Sequence, residues 1–510
     1  MKQNRKYRAV LMLLPVFLAG TVTATPASSP ARRPSQDEAR RVLEKAVRFF
    51  HGEVASHGGY VWRYSSDLQH RQGEAPAGPD RIWIQPPGTP AVGLAFLHAY
   101  RVTGDSACLE AARDAAHALV ETQLHSGGWD YTGMFDPQER LGHHYRVSPT
   151  AGKPAVNVPP GSPGGWKVWS KRRYSANKTV MDDDTTQAAL RLLIEVDKEL
   201  DFEDENIHEA ALYGLRSMIA AQYPIGAWSH NYDRFPRRSP DPEYYPVRQA
   251  SYPSSWSRTW TKDFTGCYML NDGITLDAIR TVLKAHNVYG KEKYRASALR
   301  GGRFLLRAQM PAPQPAWAQQ YDRRMHPVWD RQFEPPAITG FESQDVLETL
   351  MLLYERTGKR RFLRPVGEAI AYLERSELEG GTLARFYELR TNRPLFFTGD
   401  YELTHDREEM PSHYSFVVNS RLDAIRQRYR RLAHEGADSE APEPTLDELG
   451  ARARRAIEGM DGRGAWTEPG WVRTTEGRKV EPPDGIIRSR TFIRKLRALS
   501  SYLDLVNGHG

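Results

Sequence analysis

A unit that recurs four times restricts this chain more than anything else in it: an apolar helix, a turn, a second helix, then a loop with Gly and an aromatic residue. In the first copy a helix from Pro90 ends at Thr103-Gly104-Asp105, and its partner runs to Gln123 before Gly127-Gly128-Trp129. The next runs from Asp182-Asp183-Asp184 through a turn near Asp201 to Gln222, then Gly226-Ala227-Trp228. The third starts at Asn271-Asp272-Gly273, turns at Tyr289-Gly290-Lys291, returns to Gln309 and reaches Trp317. The fourth begins near Glu342, turns at Thr357-Gly358-Lys359, returns to Arg375, and meets Gly380-Gly381 and Arg385-Phe386-Tyr387. Fragments of the unit stand at Gly58-Gly59-Tyr60 and Gly464-Ala465-Trp466. Self-similarity of this kind means stacked units, none of which buries its apolar face alone. Tandem helix pairs that must hide both flanks curl into a ring. The expected fold is therefore all-α, an α/α toroid with the Gly-aromatic loops on one face; an open solenoid is the alternative.

The chain outside the repeats sets its boundaries. Lys2, Arg5, Lys6 and Arg8 precede an apolar run from Ala9 to Gly20 and then Val22-Thr23-Ala24, the pattern of a secretory signal peptide over residues 1–24. Thr21 stands where a lipid anchor would want Cys. Residues 25–36 read as a Pro/Ser/Arg-rich linker, and 37–510 as one catalytic domain that is secreted or periplasmic and monomeric. No later run is apolar enough to span a membrane. Without the leader's four cations the formal charge falls from +7 to +3, which removes the case for a nucleic-acid partner. The five arginines between Arg421 and Arg431 read as the solvated face of a helix, beside the stripe Leu422, Ile425 and Tyr429. Cys108 and Cys267 are too few for a disulfide scaffold, and their pairing stays open.

If every first helix starts on one face, then Asp182 to Asp184, Asn271-Asp272 and Glu342 converge there with Trp129, Trp228, Trp317 and Tyr387. Carboxylates ringed by aromatics suit a sugar, which offers apolar ring faces and hydroxyls. Core packing is the competing role for each aromatic. The aspartate trio stands where the helix marked by Ala189, Leu192, Leu193 and Val196 must begin. It reads either as a cap with extra charge or as a cation site of hard oxygen ligands, joined by Asp272. His143-His144 lacks a partner at zinc spacing, and neither a Gly-x-Ser-x-Gly elbow nor a phosphate-binding glycine loop occurs. Arg331 and Arg385 each sit beside aromatics and a carboxylate, as stacked structural ion pairs do.

Five segments in order, over about residues 88–400, resemble polysaccharide lyase family 10, the pectate lyases. Asp182-Asp183-Asp184-Thr185-Thr186 is similar to the family's Asp-Asn-x-Ala-Thr helix start, and Leu270-Asn271-Asp272 to its Phe-Asn-Asp. The segment from Ala221 to Trp228 matches its Ala-Gln-Tyr-Pro-x-Gly-Gly-Trp, and Asp330-Arg331-Gln332-Phe333-Glu334-Pro335-Pro336 resembles its Ala-Arg-x-Tyr-Glu-x-Pro. Arg385-Phe386-Tyr387-Glu388 with Thr391-Asn392-Arg393-Pro394 resembles the last block. The resemblance implies an α/α toroid that cleaves polygalacturonate by Ca²⁺-assisted β-elimination. It implies Asp182, Asp184 and Asp272 as metal ligands, Arg331 as base, and Arg385, Arg393, Trp228 and Tyr387 as substrate contacts. An arginine base must be held neutral, which a neighbouring cation and other arginines would favour.

There are departures. Asp400 stands where the family places a second substrate arginine, and an insertion with Tyr244-Tyr245 and Trp256 to Trp260 would rebuild the rim of the cleft. The part over 412–506 diverges, with 487–505 a closing amphipathic helix. Two other functions stay open. One is a toroid glycoside hydrolase using Asp184 and Asp272 as its acidic pair. The other is an inactive carbohydrate-binding homologue.

Overall fold

A computed structural model describes residues 33–147, 176–236, 240–261, 266–411 and 414–508. The expected leader and most of the linker lie outside them. Among the described residues are twelve helices of ten residues or more: α1 (Gln36–Phe49), α2 (Thr89–Thr103), α3 (Ser106–Glu121), α4 (Thr185–Glu199), α5 (Glu205–Ala220), α6 (Ile274–Tyr289), α7 (Glu292–Ala308), α8 (Glu342–Thr357), α9 (Val366–Arg375), α10 (Leu422–Glu435), α11 (Leu446–Glu458) and α12 (Ser489–Gly508). The even-numbered helices form an inner row, in which α12 packs on α2, α2 on α4, α4 on α6, α6 on α8, and α8 on α10. Each odd-numbered helix from α3 to α9 returns outside the helix before it, while α1 and α11 both flank α12. The fold is an α/α toroid.

The ends of the chain meet. Strand Arg63–Ser65 pairs antiparallel with Ile486–Arg488, with Tyr64 opposite Ile487. The inner helix α4 is buried on nearly every side; only Arg191, Lys198 and Glu199 escape full burial. Charged residues of α2, α4 and α6 are paired across the inner row. Arg101 meets Glu195 at 2.8 Å and Glu199 at 2.6 Å, and Lys284 meets Glu195. The arginines of α10 are not a solvated face. Arg421 holds Asp345 and Glu348, Arg428 holds Glu355, and Arg426 holds Glu374, which ties α10 to α8 and α9. Cys108 and Cys267 are separate thiols. No helix among the described residues is long and apolar enough to cross a membrane.

The repeated loop is a fastening. Trp129, Trp228 and Trp317 are almost completely buried, and each indole N–H donates to a carbonyl at the end of the preceding outer helix: Leu119, Met218 and Leu305, all at 2.8 Å. Each tryptophan's own amide donates to a hydroxyl in the first turn of the next inner helix: Thr186, Thr275 and Ser343, at 3.1–3.2 Å. One residue thus caps the end of one helix and sets the start of the next. Gly226 is required here, since its φ is 113° and a Cβ would lie 2.1 Å from the Arg300 carbonyl oxygen.

Trp317→Ala should therefore remove packing and the indole hydrogen bond to Leu305 at once, while the backbone amide keeps its bond to Ser343. The expected loss is about 3–5 kcal/mol in urea unfolding; a loss under about 1 kcal/mol would show that the loop does not hold the repeats together.

Candidate functional site

The fastening puts the starts of the inner helices on one face, and two of these starts have the same unusual backbone. Asp182–Asp184 is a single tight turn rather than a capped helix end, with Asp183 at φ 51° and Asp184 at φ 59° and no side-chain cap on the following helix. Asn271–Gly273 repeats it, with Asp272 at φ 46° and Gly273 at φ 74°. Left-handed backbone at a non-glycine residue costs of order 1–3 kcal/mol and persists only where its surroundings impose it. The superposable pairs are Asp182 with Asn271 and Asp183 with Asp272.

Asp182, Asp183 and Asp272 each present a carboxylate oxygen, and the three lie within 4.8 Å of one another. Asp184, expected among the ligands, is not one of them. Its left-handed backbone swings the carboxylate to Arg191 on α4, and burial lifts its pKa to about 6 against the pull of that guanidinium. The third member of the cluster is Asp183, which sequence reasoning passed over. Burial first, then Asp182, raises the Asp272 pKa well above the usual carboxylate range. A cluster of hard oxygens that repel one another fits Ca²⁺, whose ligand bonds of about 2.3–2.6 Å span such separations.

Arg331 reaches the cluster from the loop before α8. Its Nη2 donates to Asp272 Oδ2 at 2.9 Å and to Glu334 Oε1 at 2.5 Å. Glu334 is wholly buried and also accepts from Asn271 Nδ2 at 3.1 Å and from the Arg331 amide at 3.1 Å. Burial disfavours the charged guanidinium, but Glu334 and then Asp272 outweigh it and raise its pKa. The surroundings expected to keep Arg331 neutral therefore keep it charged here, because two carboxylates face it.

Arg385 is clasped rather than free. Nη1 donates to Tyr414 Oη at 2.9 Å and lies 3.6 Å from Glu342 Oε1, Nε donates to the Ser415 carbonyl at 3.1 Å, and Phe341 and Tyr414 flank the guanidinium. Phe333 lies under Arg331 and is tilted against Tyr414, with ring centres 4.6 Å apart, so that the two rings together link the arginines. Trp228 and Tyr387 belong to the core and offer no face to a sugar. Trp228 fills its repeat, and the Tyr387 hydroxyl donates to the Ser376 carbonyl at 2.5 Å while taking the Ala384 amide. Arg393 is exposed at a hairpin turn, where its carbonyl takes the Glu388 amide at 2.9 Å. Asp400 is likewise exposed.

One more residue belongs to the site. His230, two positions after Trp228, is buried with Nε2 2.5 Å from Asp330 Oδ2 and Nδ1 3.6 Å from Asp182 Oδ1. Burial opposes its charge, but Asp330 and Asp182 prevail and raise its pKa to about 10. It joins the aspartate turn to the Arg331 loop, and its signal in the sequence was only its place after the loop tryptophan. Tyr131 completes the surroundings of Asp182 by donating to Oδ2 at 2.9 Å. The insertion packs on the loop that carries Arg331: Trp260 Nε1 donates to the Asp330 carbonyl at 2.9 Å, and Trp329 Nε1 to the Ser257 carbonyl at 2.8 Å.

No family model and no curated protein matches the chain. Among solved structures it is similar to a mutant of the family 10 polysaccharide lyase from Cellvibrio cellulosa in complex with trigalacturonic acid. The identity is 18% and the TM-score 0.41, over 68% of this chain and 98% of that one. It is also similar to an α-mannanase from Bacteroides thetaiotaomicron, with 8% identity, TM-score 0.43, and 93% and 97% of the two chains covered. A cellobiose 2-epimerase from Bacillus thermoamylovorans gives 13% identity and TM-score 0.45, covering 92% and 99%. Likenesses this remote carry no statement about what the chain acts on.

The His230 pair predicts a pH signature. A histidine pKa raised to about 10 in the fold contributes stability that is complete below its ordinary value of 6.5 and is lost as the pH climbs through the folded value. Measured with chelator present, wild type should therefore exceed His230→Gln in urea midpoint most at pH 6, with the gap narrowing towards pH 10. A gap that widens with pH would refute the charged pairing.

Proposed function

We propose that the chain is a secreted or periplasmic, monomeric enzyme that cleaves an acidic polyuronate by β-elimination, with polygalacturonate the first candidate. One observation carries this reading: the oxygens of Asp182, Asp183 and Asp272 converge within 4.8 Å, with the Arg331 guanidinium 2.9 Å from Asp272. A cation held by the acidic groups and the guanidinium beside them could grip a sugar carboxylate from two sides, and the ordered family blocks in the sequence point to the same chemistry. Asp182, Asp183 and Asp272 would hold Ca²⁺, which when bound supplies positive charge against the uronate carboxylate.

The bond changes assign the other roles. In β-elimination the C5–H proton goes to a base, a C4=C5 double bond forms, the C4–O bond breaks and the departing oxygen takes a proton from water. Arg331 is our candidate for the C5 proton: 27% of its side chain is exposed beside the cluster, and buried Glu334 anchors it. As a cation it draws the substrate carboxylate and stabilises charge that develops on it. To serve as base it must first give up a proton to solvent, which a metal drawing Asp272 away from it would favour, since Asp272 helps to keep it charged. Arg385 is joined to Arg331 through two aromatic rings, Phe333 and Tyr414, and is the second candidate for a substrate carboxylate. Arg393 remains a contact for a more distant sugar, at the exposed hairpin.

Incubation of the whole chain with polygalacturonate and Ca²⁺ should yield the conjugated unsaturated product, read by ultraviolet absorbance. Arg331→Ala should lower the rate by about a thousandfold or more, and chelator should abolish it. Saturated reducing ends formed in chelator would establish a hydrolase instead. Oligouronate bound without turnover, equally by wild type and Arg331→Ala, would establish a binding protein.

A further inference from the structure

A groove that shares no residue with the carboxylate cluster opens beside α12, with a volume of about 1170 Å³. One wall is the α12 stripe of Arg490, Ile493, Arg494 and Arg497. The facing wall is Arg452 and Arg455 of α11, and Pro86-Pro87, just before α2, forms the floor. Five arginines thus face one space, and all five are exposed. None has an ion pair among the described residues, whereas Arg421, Arg426, Arg428 and Arg431, at the start of α10 and along it, each meet a carboxylate. Glu458 is the one carboxylate in the lining. Lys495 stands there too; burial first and then Arg494 lower its pKa.

We propose that this groove is a second binding site, for a polyanionic stretch of the same acidic polysaccharide. Its ligand class rests on the function proposed above, whereas its preference for anions does not. Guanidinium groups take carboxylates in a fixed fork. Arg490 to Arg497 spans about 10 Å along the helix, so the row meets several charges of an extended polymer rather than one small ion. The lining holds no aromatic residue, and so lacks the stacking surface that unpaired bases use. Leu449, Ile493, Ala498 and the two prolines leave apolar strips between the charges, suited to the faces of sugar rings. The groove would hold the polymer near the ring while another part of it is cut.

Binding of hexagalacturonate, measured by calorimetry in chelator, tests this on the whole chain. The comparison uses wild type, Arg494→Gln with Arg497→Gln, Arg452→Glu on the facing helix, and Asp272→Asn. All three groove residues are exposed, so the fold should survive, and thermal unfolding checks it. Both groove variants should lose at least tenfold in affinity, the wild-type affinity should fall with added salt, and Asp272→Asn should bind as wild type. Unchanged affinity in both groove variants would overturn the proposal. So would a hexanucleotide of thymidine that binds more tightly than the hexauronate and is lost in the same variants. Absence of lyase activity, with hexauronate still held through Arg494 and Arg452, would sink the active-site reading and leave this one standing.

Discussion

The rest of the molecule depends on the bond from each loop indole to the end of the outer helix before it, together with the bond from that tryptophan's amide to the next inner helix. Helix ends leave carbonyls and amides without partners, and a buried end must find them elsewhere. Trp129, Trp228 and Trp317 answer both needs with one side chain and one amide. The inner helices α4, α6 and α8 consequently start at a fixed height on the same face. A catalytic constellation drawn from α4, α6 and the loop before α8 can form only because those heights agree.

Charge is the second organising constraint. Inside the ring the inner helices cancel their charges pairwise, as Arg101, Glu195 and Lys284 do. The cancellation stops in two places. At the mouth, three carboxylates are crowded together and answered from the side by Arg331 and His230. Beside α12, arginines face arginines. Each place stores unfavourable like-charge contact that a ligand of opposite sign relieves, a cation at the first and a polyanion at the second.

The same aspartate trio shows how far local pattern reached. Its clustering with Asp272 was legible, since both stretches open inner helices of adjacent repeats. Which aspartates converge was not, because two successive left-handed residues reverse the expected directions, sending Asp183 inward and Asp184 to Arg191. A run of three like residues carries no sign of that reversal. Trp228 and Tyr387 erred for a related reason. A tryptophan after a glycine is the same letters whether it faces a sugar or a helix end, and only the position of the Met218 carbonyl decides.

The sequence alone determined the repeat and the pairing of helices, because apolar spacing and turn residues act over a few neighbours and survive in any context. Closure into a toroid rather than an open solenoid was decided by the tertiary structure. The sequence also determined that acidic helix starts share a face. Only tertiary structure decided the protonation and company of the site. The charge on Arg331 depends on Glu334 and Asp272, that on His230 on Asp330 and Asp182, and these partners stand 3 to 100 residues away in the chain. Electrostatic energy follows distance and burial in space, and neither is written in the order of the residues.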